Sequence, residues 1–227
     1  MGIPDRVHKT LELLAQGAAR ANRNPREITL VAVSKNAGWQ DIMEAYGAGL
    51  RHFGENRLQE AQEKIPLCPP DICWHFIGRL QTNKAKGVLE HFNLIHSLDR
   101  FKLAERLSRL AEEEGKTAKV LVQVNIAGEA SKQGLEPAEV EGFIREVKGL
   151  PFLTVSGLMA MAPYTPRPEE ARPYFKAMKT LFDHLRSRGE DLPYLSMGMS
   201  SDFQVAVEEG ANMVRIGSLI FSPELID

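Results

Sequence analysis

Eight short apolar segments, separated by longer segments with the period of an amphipathic helix, dominate this sequence. Apolar runs of this length are typical of strands buried on both faces, and strands that alternate with helices form parallel sheets with right-handed crossovers. Eight repeats favour closure into a (β/α)8 barrel over an open, doubly wound sheet. The predicted strands are residues 28–34, 51–54, 73–78, 93–97, 119–126, 153–159, 194–199 and 213–218.

The two ends of the sequence depart from this regular alternation. Beyond Ile220, close after the eighth predicted strand, only "FSPELID" remains, which is too short for a full eighth helix. The segment from Pro4 to about Arg20 carries Val7, Leu11 and Leu14 at helical spacing, and we expect it to cover the gap. We therefore predict one α/β domain over residues 1–227, a (β/α)8 TIM barrel with an additional N-terminal helix.

The composition gives no sign of binding to nucleic acid or to membranes. The net charge is −2 and the isoelectric point is about 6.3, so the chain lacks the basic footprint of a nucleic-acid-binding protein. It has no apolar run of about 18 residues, and "MGIPDRVHKT" lacks the apolar core of a signal peptide. We expect a soluble, cytoplasmic and monomeric protein.

The two cysteines, Cys68 and Cys73, carry little functional information in the sequence. A chain of this length can bury a full core, so it does not need a disulfide scaffold. Two cysteines without a clustered pair of histidines make a poor zinc site, and we predict no metal site. We expect Cys73 to pack in a strand and Cys68 to lie in a loop.

Polar residues cluster where the predicted strands end, which is where barrels of this kind place their active sites. Lys35 follows the first strand, in "VAVSK", and Asn56 follows the second, in "GENR". The other candidates follow strand seven or belong to strand eight, and they are Ser200, Arg215, Gly217 and Ser218.

The last two strands suggest a phosphate site, because barrel enzymes often bind phosphate with the loops after strands seven and eight. In "GMSSD", Ser201 and Gln204 fit a capping box, which would leave the hydroxyl of Ser200 free. A helix that starts there would add backbone N–H groups and positive dipole character. Gly217 and Ser218 supply another amide that a ligand can approach and a second hydroxyl.

Lys35 is open to two interpretations. Its stem could pack at the rim of the barrel while the ammonium group reaches water. Alternatively, it could be a desolvated amine with a lowered pKa that forms a Schiff base. An aldehyde cofactor that carries a phosphate, pyridoxal 5′-phosphate (PLP), would join Lys35 to the predicted phosphate loops. Because side chains alternate along a strand, Arg215 and Gly217 lie on the same side of the last strand. Arg215 could then face the pyridine nitrogen while Gly217 lies near the phosphate.

Seven motifs resemble one known family, the pyridoxal phosphate homeostasis proteins, which are similar to the N-terminal barrel domain of bacterial alanine racemase. The motifs are "VAVSK", "HFGENRLQEA", "WHFIGRLQTNK", "LVQVNIAGEASKQGL", "GLMAMAP", "LSMGMSSDF" and "MVRIGSLIF". They run in order from Val31 to Phe221, with one motif per strand end.

The resemblance implies a role for each candidate. PLP would be held by Lys35 as an internal aldimine, with Arg215 at the ring nitrogen and Asn56 near the ring. The phosphate would be held by Ser200, Gly217 and Ser218.

Three functions fit this site. The first is a protein that buffers PLP or delivers it to PLP-dependent apo-enzymes through transient contacts. The second is an amino-acid racemase, but by the resemblance the opposing tyrosine would come from a C-terminal domain that we do not expect in this protein. A cationic Arg215 would also disfavour the protonated ring nitrogen that carbanion chemistry needs. The third is an aldolase-type barrel that uses Lys35 on another phosphorylated substrate. We expect the first, without strong catalytic activity.

Two further residues have a weaker case. His75 lies within the third predicted strand, where a packed, hydrogen-bonded histidine is more common than an acid–base catalyst. Lys132 is expected to be a solvated loop residue that adds positive potential near the barrel mouth.

Overall fold

In a computed structural model, eight parallel strands form a closed barrel in the order β1 to β8. The structure describes residues 1–129 and 133–222. The strands are β1 (Thr29–Val33), β2 (His52–Glu55), β3 (Cys73–Phe76), β4 (Leu94–Leu98), β5 (Ala118–Val124), β6 (Leu153–Ala160), β7 (Tyr194–Ser196) and β8 (Met213–Ile216). Each of the predicted apolar segments overlaps one of these strands, with ends that differ by a few residues, so the predicted fold class is confirmed.

Helices connect successive strands and surround the barrel. They are α1 (Ile3–Arg20), α2 (Trp39–Gly47), α3 (Leu58–Lys64), α4 (Ala85–His91), α5 (Phe101–Glu113), α6 (Val140–Val147), α7 (Arg172–Ser187), α8 (Phe203–Glu208) and α9 (Ser218–Phe221). Over the described part of the chain, none of them combines the length and the apolar character that crossing a bilayer requires.

The strands divide their side chains between two apolar layers because successive residues point to opposite faces. Outward-facing residues such as Phe53 and Trp74 pack with the helices in the main core. Inward-facing residues form a smaller cluster within the barrel, made of Val31, Leu94, Leu121, Met159 and Met213. The interior of the barrel therefore holds this apolar cluster together with buried polar side chains, among them His75, His96 and Arg215.

Helix α5 shows how the sequence period produces the outer layer. Leu103, Leu107 and Leu110 recur at helical spacing, and all three are buried. Burying a leucine side chain contributes about 1.5–3 kcal/mol relative to leaving it exposed. The helix ends before Gly115, whose φ of +62° lies in the left-handed region that glycine adopts readily. The following turn leads directly into β5.

Helix α1 closes the ring of helices next to α8 and the short α9. The Nε of Arg6 donates a hydrogen bond to the Ile220 carbonyl at 2.6 Å. The Nε2 of Gln204 donates to the Leu13 carbonyl at 2.9 Å. Val7 and Leu14 belong to the main core, as their spacing indicates. The prediction that the N-terminal helix covers the gap in the helical ring is confirmed.

The two cysteines lie where the sequence predicts. Cys73 is the first residue of β3, and Cys68 follows a short 3-10 turn, Ile65–Leu67. Both are free thiols and both are partly buried. They form no disulfide with each other, as expected for a core of this size.

Candidate functional site

A cavity of about 780 Å³ opens at the carboxyl ends of the strands. Its lining includes every site residue predicted from the sequence, which are Lys35, Asn56, Ser200, Arg215, Gly217 and Ser218. The loops after β1, β2, β7 and β8 thus bring these six residues to one cavity. The lining also contains side chains that the sequence did not single out, among them Met159, Met161, Tyr164 and Met199.

Lys35 lies in the turn that follows β1. The turn is closed by the Ala37 N–H, which donates to the Ser34 carbonyl at 2.9 Å. Lys35 is exposed at the mouth of the cavity, whereas Ser34 is fully buried. Of the two interpretations of Lys35, this structure shows the exposed side chain at the rim, because the turn carries the chain out of the barrel just after Ser34.

A buried ion pair, not anticipated from the sequence, supports this turn. The Oε1 of Glu55 accepts hydrogen bonds from the Ser34 hydroxyl at 2.7 Å and from the Lys64 ammonium at 2.9 Å. Lys64 also donates to the Ser34 carbonyl at 2.9 Å. Glu55 is fully buried, so its charge needs this partner. The pair fixes the residue that precedes Lys35. The sequence signal that could have revealed the pair is Glu55 itself, an acidic residue at the end of a buried strand.

The loops after β7 and β8 touch at the predicted phosphate site. The Gly217 N–H donates to the Ser200 hydroxyl oxygen at 3.2 Å. A Cβ atom on residue 217 would lie 3.3 Å from the Val33 carbonyl oxygen, so the chain passes close to β1 here. Ser218 follows as the first residue of α9. Two hydroxyl groups and a backbone amide thus lie at one side of the cavity.

The capping box predicted for Ser201 and Gln204 is wrong. Helix α8 begins at Phe203, and Asp202 precedes it as the N-cap. The Oδ1 of Asp202 accepts a hydrogen bond from the Met199 N–H at 2.7 Å and so closes the loop before the helix. The side chain of Gln204 instead contacts α1. The pattern was misleading because Gln204 has a tertiary partner that the local sequence does not reveal.

Arg215 contributes a buried cation to the inner wall of the cavity. Its Nη1 donates to the Ser196 hydroxyl at 2.5 Å, and its Nη2 donates to the Ala160 carbonyl at 2.9 Å. Only 4% of the residue is exposed. Burial lowers the pKa of Arg215 to about 10. The guanidinium therefore remains charged at neutral pH.

A chain of histidines continues from Ser196 through the interior of the barrel. The Ser196 Oγ lies 3.2 Å from the Nδ1 of His96, whose Nε2 lies 3.0 Å from the Nδ1 of His75. The Nε2 of His75 in turn lies 3.0 Å from the Nδ1 of His52. Burial lowers the pKa of His75 to about 3, so its ring is neutral. The expectation of a packed, hydrogen-bonded histidine is confirmed for His75.

Asn56 offers an unused acceptor beside the cavity. Its Oδ1 is buried and has no hydrogen-bond partner among the described residues. The backbone of Gly78 passes so close that a Cβ atom there would lie 2.1 Å from the Asn56 carbonyl oxygen. An unpaired buried amide in a cavity wall is well suited to a polar ligand, since leaving it unpaired costs about 1–3 kcal/mol.

Lys132, the predicted source of positive potential, lies outside the described residues.

Comparisons with known proteins agree with the resemblance. The family described as "Alanine racemase, N-terminal domain" matches residues 12–224. The pyridoxal phosphate homeostasis protein of Aquifex aeolicus is 43% identical over 223 residues, which cover 97% of this chain and 98% of that protein. The Escherichia coli K12 protein of the same name is 42% identical over 214 residues, 92% of this chain and 91% of the relative. The solved structure of PipY from Synechococcus elongatus PCC7942, with PLP bound, is 39% identical in sequence and has a TM-score of 0.80. The match covers 92% of this chain and all of the PipY chain. The chain therefore belongs to the pyridoxal phosphate homeostasis protein family.

Proposed function

We propose that this protein binds PLP reversibly and buffers it or delivers it to PLP-dependent apo-enzymes through transient contacts. The observation that carries the proposal is the set of groups around one cavity: a primary amine at Lys35, hydrogen-bond donors at Ser200, Gly217 and Ser218, and a buried cation at Arg215. The bound PLP in the PipY structure supports the same conclusion. PLP supplies an aldehyde that condenses reversibly with an amine.

Lys35 is the amine in this proposal. It lines the cavity, and its turn is held in place by the buried contacts of Ser34. Its position at the mouth lets solvent and an acceptor protein reach the bond between cofactor and protein. An exposed lysine suits a carrier that must release its cargo, whereas a closed catalytic site excludes water.

Ser200, Gly217 and Ser218 form the proposed phosphate end of the site. A hydrogen bond to a charged group contributes about 1.5–3 kcal/mol. The hydroxyls of Ser200 and Ser218, and the Gly217 amide once it turns from Ser200 to the ligand, would give the phosphate a large share of the affinity. Pyridoxal without the phosphate should therefore bind at least about 100-fold more weakly. Equal affinity for the two compounds would show that these loops do not hold the phosphate.

Arg215 sets the expected chemistry of the bound ring. A cation near the pyridine nitrogen disfavours the proton there, and the Ser196 and Ala160 bonds leave little freedom for Arg215 to move away. Racemisation also needs a fixed base on the opposite face of the substrate. Tyr164 lines the cavity but is 86% exposed, so it is poorly placed to serve as that base. We therefore propose that the protein has no strong catalytic activity.

Borohydride reduction of the PLP-loaded protein followed by peptide mapping tests the attachment. The adduct should lie on Lys35, and the Lys35→Ala variant should lose it while the Lys84→Ala variant keeps it. An adduct on Lys84 or Lys132 in the unmutated protein would overturn the assignment.

Incubation with L-alanine and chiral product analysis tests the absence of strong catalysis. We expect no turnover in the usual enzymatic range of about 1–10³ per second. Turnover of L-alanine in that range would identify a racemase instead.

Reactivation of a PLP-dependent apo-enzyme tests delivery. The PLP-loaded protein should reactivate the apo-enzyme faster than spontaneous release of PLP allows.

A further inference from the structure

Three side chains that commonly bind metals meet inside the barrel at the end opposite the cavity. One ring nitrogen of His52, the Sγ of Cys73 and one ring nitrogen of His75 all lie within 4.8 Å of one another. The Nδ1 of His52 and the Nε2 of His75 face each other at 3.0 Å. His52 begins β2, and it is the register partner of Cys73 at the start of β3. His75 lies two residues further along β3, so it points to the same face of the strand as Cys73. The closed barrel thus assembles a cluster that no local sequence pattern contains.

The cluster combines rigidity with access from the amino ends of the strands. All three residues lie on paired strands, so holding their side chains together requires little ordering of the backbone. His75 is buried, while His52 and Cys73 are partly exposed. An ion could therefore enter from the amino end of the barrel without opening the core.

The donor atoms are one sulfur and two imidazole nitrogens, a set that Zn²⁺ prefers. Zinc binds nitrogen at about 2.0–2.1 Å and sulfur at about 2.3 Å, which places tetrahedral ligand atoms roughly 3.3–3.6 Å apart. The two nitrogens now lie 3.0 Å apart, as hydrogen-bond partners. Side-chain rotations that move the two nitrogens apart by a few tenths of an ångström, and that bring the Cys73 Sγ from within 4.8 Å to about 3.6 Å of them, would give the spacing of a zinc site.

A supporting shell for such an ion is already present. The Nδ1 of His75 lies 3.0 Å from the Nε2 of His96. A metal on the Nε2 of His75 requires the proton on Nδ1, which can then donate to His96. Metal-binding histidines usually use their second nitrogen in this way, and the bond fixes both the tautomer and the orientation of the ring.

The local charges favour neutral imidazoles and disfavour a free thiolate. Burial lowers the pKa of His52, so this ligand needs no deprotonation at neutral pH. Burial raises the pKa of the Cys73 thiol, and the nearby Lys119 opposes that effect. A bound cation displaces the thiol proton directly, as metals generally do. Lys119 is exposed, so its repulsion of the ion is screened by solvent.

We propose that His52, Cys73 and His75 form a Zn²⁺ site at the amino end of the barrel, with a fourth position for water. The site lies at the opposite end from the PLP cavity and does not depend on the proposed function. It departs from the expectation of no metal site, which rested on the absence of a histidine pair near the cysteines in the sequence. The barrel supplies that pair from β2 and β3.

Titration of the full chain, freed of metals with a chelator, tests the proposal. In a Zn²⁺ titration against a chromophoric competitor, we expect one equivalent of Zn²⁺ to bind. In a Co²⁺ titration, we expect a sulfur-to-metal charge-transfer band and the visible d–d bands of tetrahedral Co²⁺. The Cys73→Ser variant should lose the charge-transfer band and weaken Zn²⁺ binding at least about 100-fold. The Cys68→Ser variant, which alters the other cysteine, should behave like the unmutated protein.

Two further measurements keep the result independent of folding defects. In the unmutated protein, Zn²⁺ should slow alkylation of Cys73 but not of Cys68, as read by peptide mapping. The His52→Gln variant should weaken Zn²⁺ binding, whereas His8→Gln, which alters an exposed histidine on α1, should not. Unaltered Cys73 alkylation with Zn²⁺ present, or a charge-transfer band that disappears in Cys68→Ser, would overturn the proposal.

Discussion

The buried pair of Glu55 and Lys64 predicts a large loss of stability when the cation is removed. Lys64→Met keeps the length of the side chain but leaves the fully buried carboxyl group of Glu55 without its cation. The change also removes the donor to the Ser34 carbonyl. Removing one partner of a buried ion pair costs about 3–5 kcal/mol. Because 14% of the Lys64 side chain is exposed, we expect the lower end of this range.

An exposed pair provides the matched control. Lys148 lies 3.0 Å from Glu190, and 63% of the Lys148 side chain is exposed. Lys148→Met should therefore cost less than about 1 kcal/mol. A loss of about 3 kcal/mol for Lys64→Met corresponds to a melting temperature lower by about 6–12 °C in a chain of this length.

Thermal and urea unfolding followed by circular dichroism measures both variants. The double variant Glu55→Gln, Lys64→Met should recover part of the loss, because the uncompensated charge is then absent. Equal losses for Lys64→Met and Lys148→Met, or no recovery in the double variant, would refute the argument that burial of Glu55 determines the effect.

Three other predictions concern the cavity and the core. Gly78→Ala should destabilise the protein and weaken PLP binding, because its Cβ would lie 2.1 Å from the Asn56 carbonyl oxygen. Gly142→Ala on α6, where the new Cβ has open space, should instead stabilise the protein by up to about 1 kcal/mol. Denaturant midpoints and PLP titration measure both variants. Leu107→Ala should lower the free energy of unfolding by about 2–5 kcal/mol, since the side chain is fully buried, and an unchanged midpoint would contradict its place in the core. Ser200→Ala should raise the dissociation constant for PLP about 10-fold or more without changing that for pyridoxal, as read by absorbance titration.

Periodicity was sufficient to predict the fold because the barrel repeats one unit, and each repeat carries its own strand and helix pattern. The candidate site could be located for a related reason. Parallel strands bring their carboxyl ends together, so residues as far apart in the chain as Lys35 and Arg215 are expected at the same edge of the sheet.

Contacts across the barrel could not be read from the sequence. The bond between Gln204 and Leu13 depends on where α1 packs, and the pairing of Glu55 with Lys64 depends on the angle between β2 and α3. The exposure of Lys35 follows from the path of one turn. The histidine chain depends on strand register, because a shift of one residue would turn His75 to the outer face.

The packing of α1 has a consequence for the order of folding. This helix precedes every strand of the barrel in the chain, yet most of its packing is against α8 and α9, and Arg6 bonds to a residue 214 positions later. Much of its apolar face, apart from the part that α2 covers, therefore stays uncovered on the ribosome until almost the whole barrel has emerged. Closing so long a loop is entropically unfavourable and slow. The nascent chain is therefore at greatest risk of aggregation just before its last strand is made, and chaperones that shield amphipathic helices should act on it at that stage.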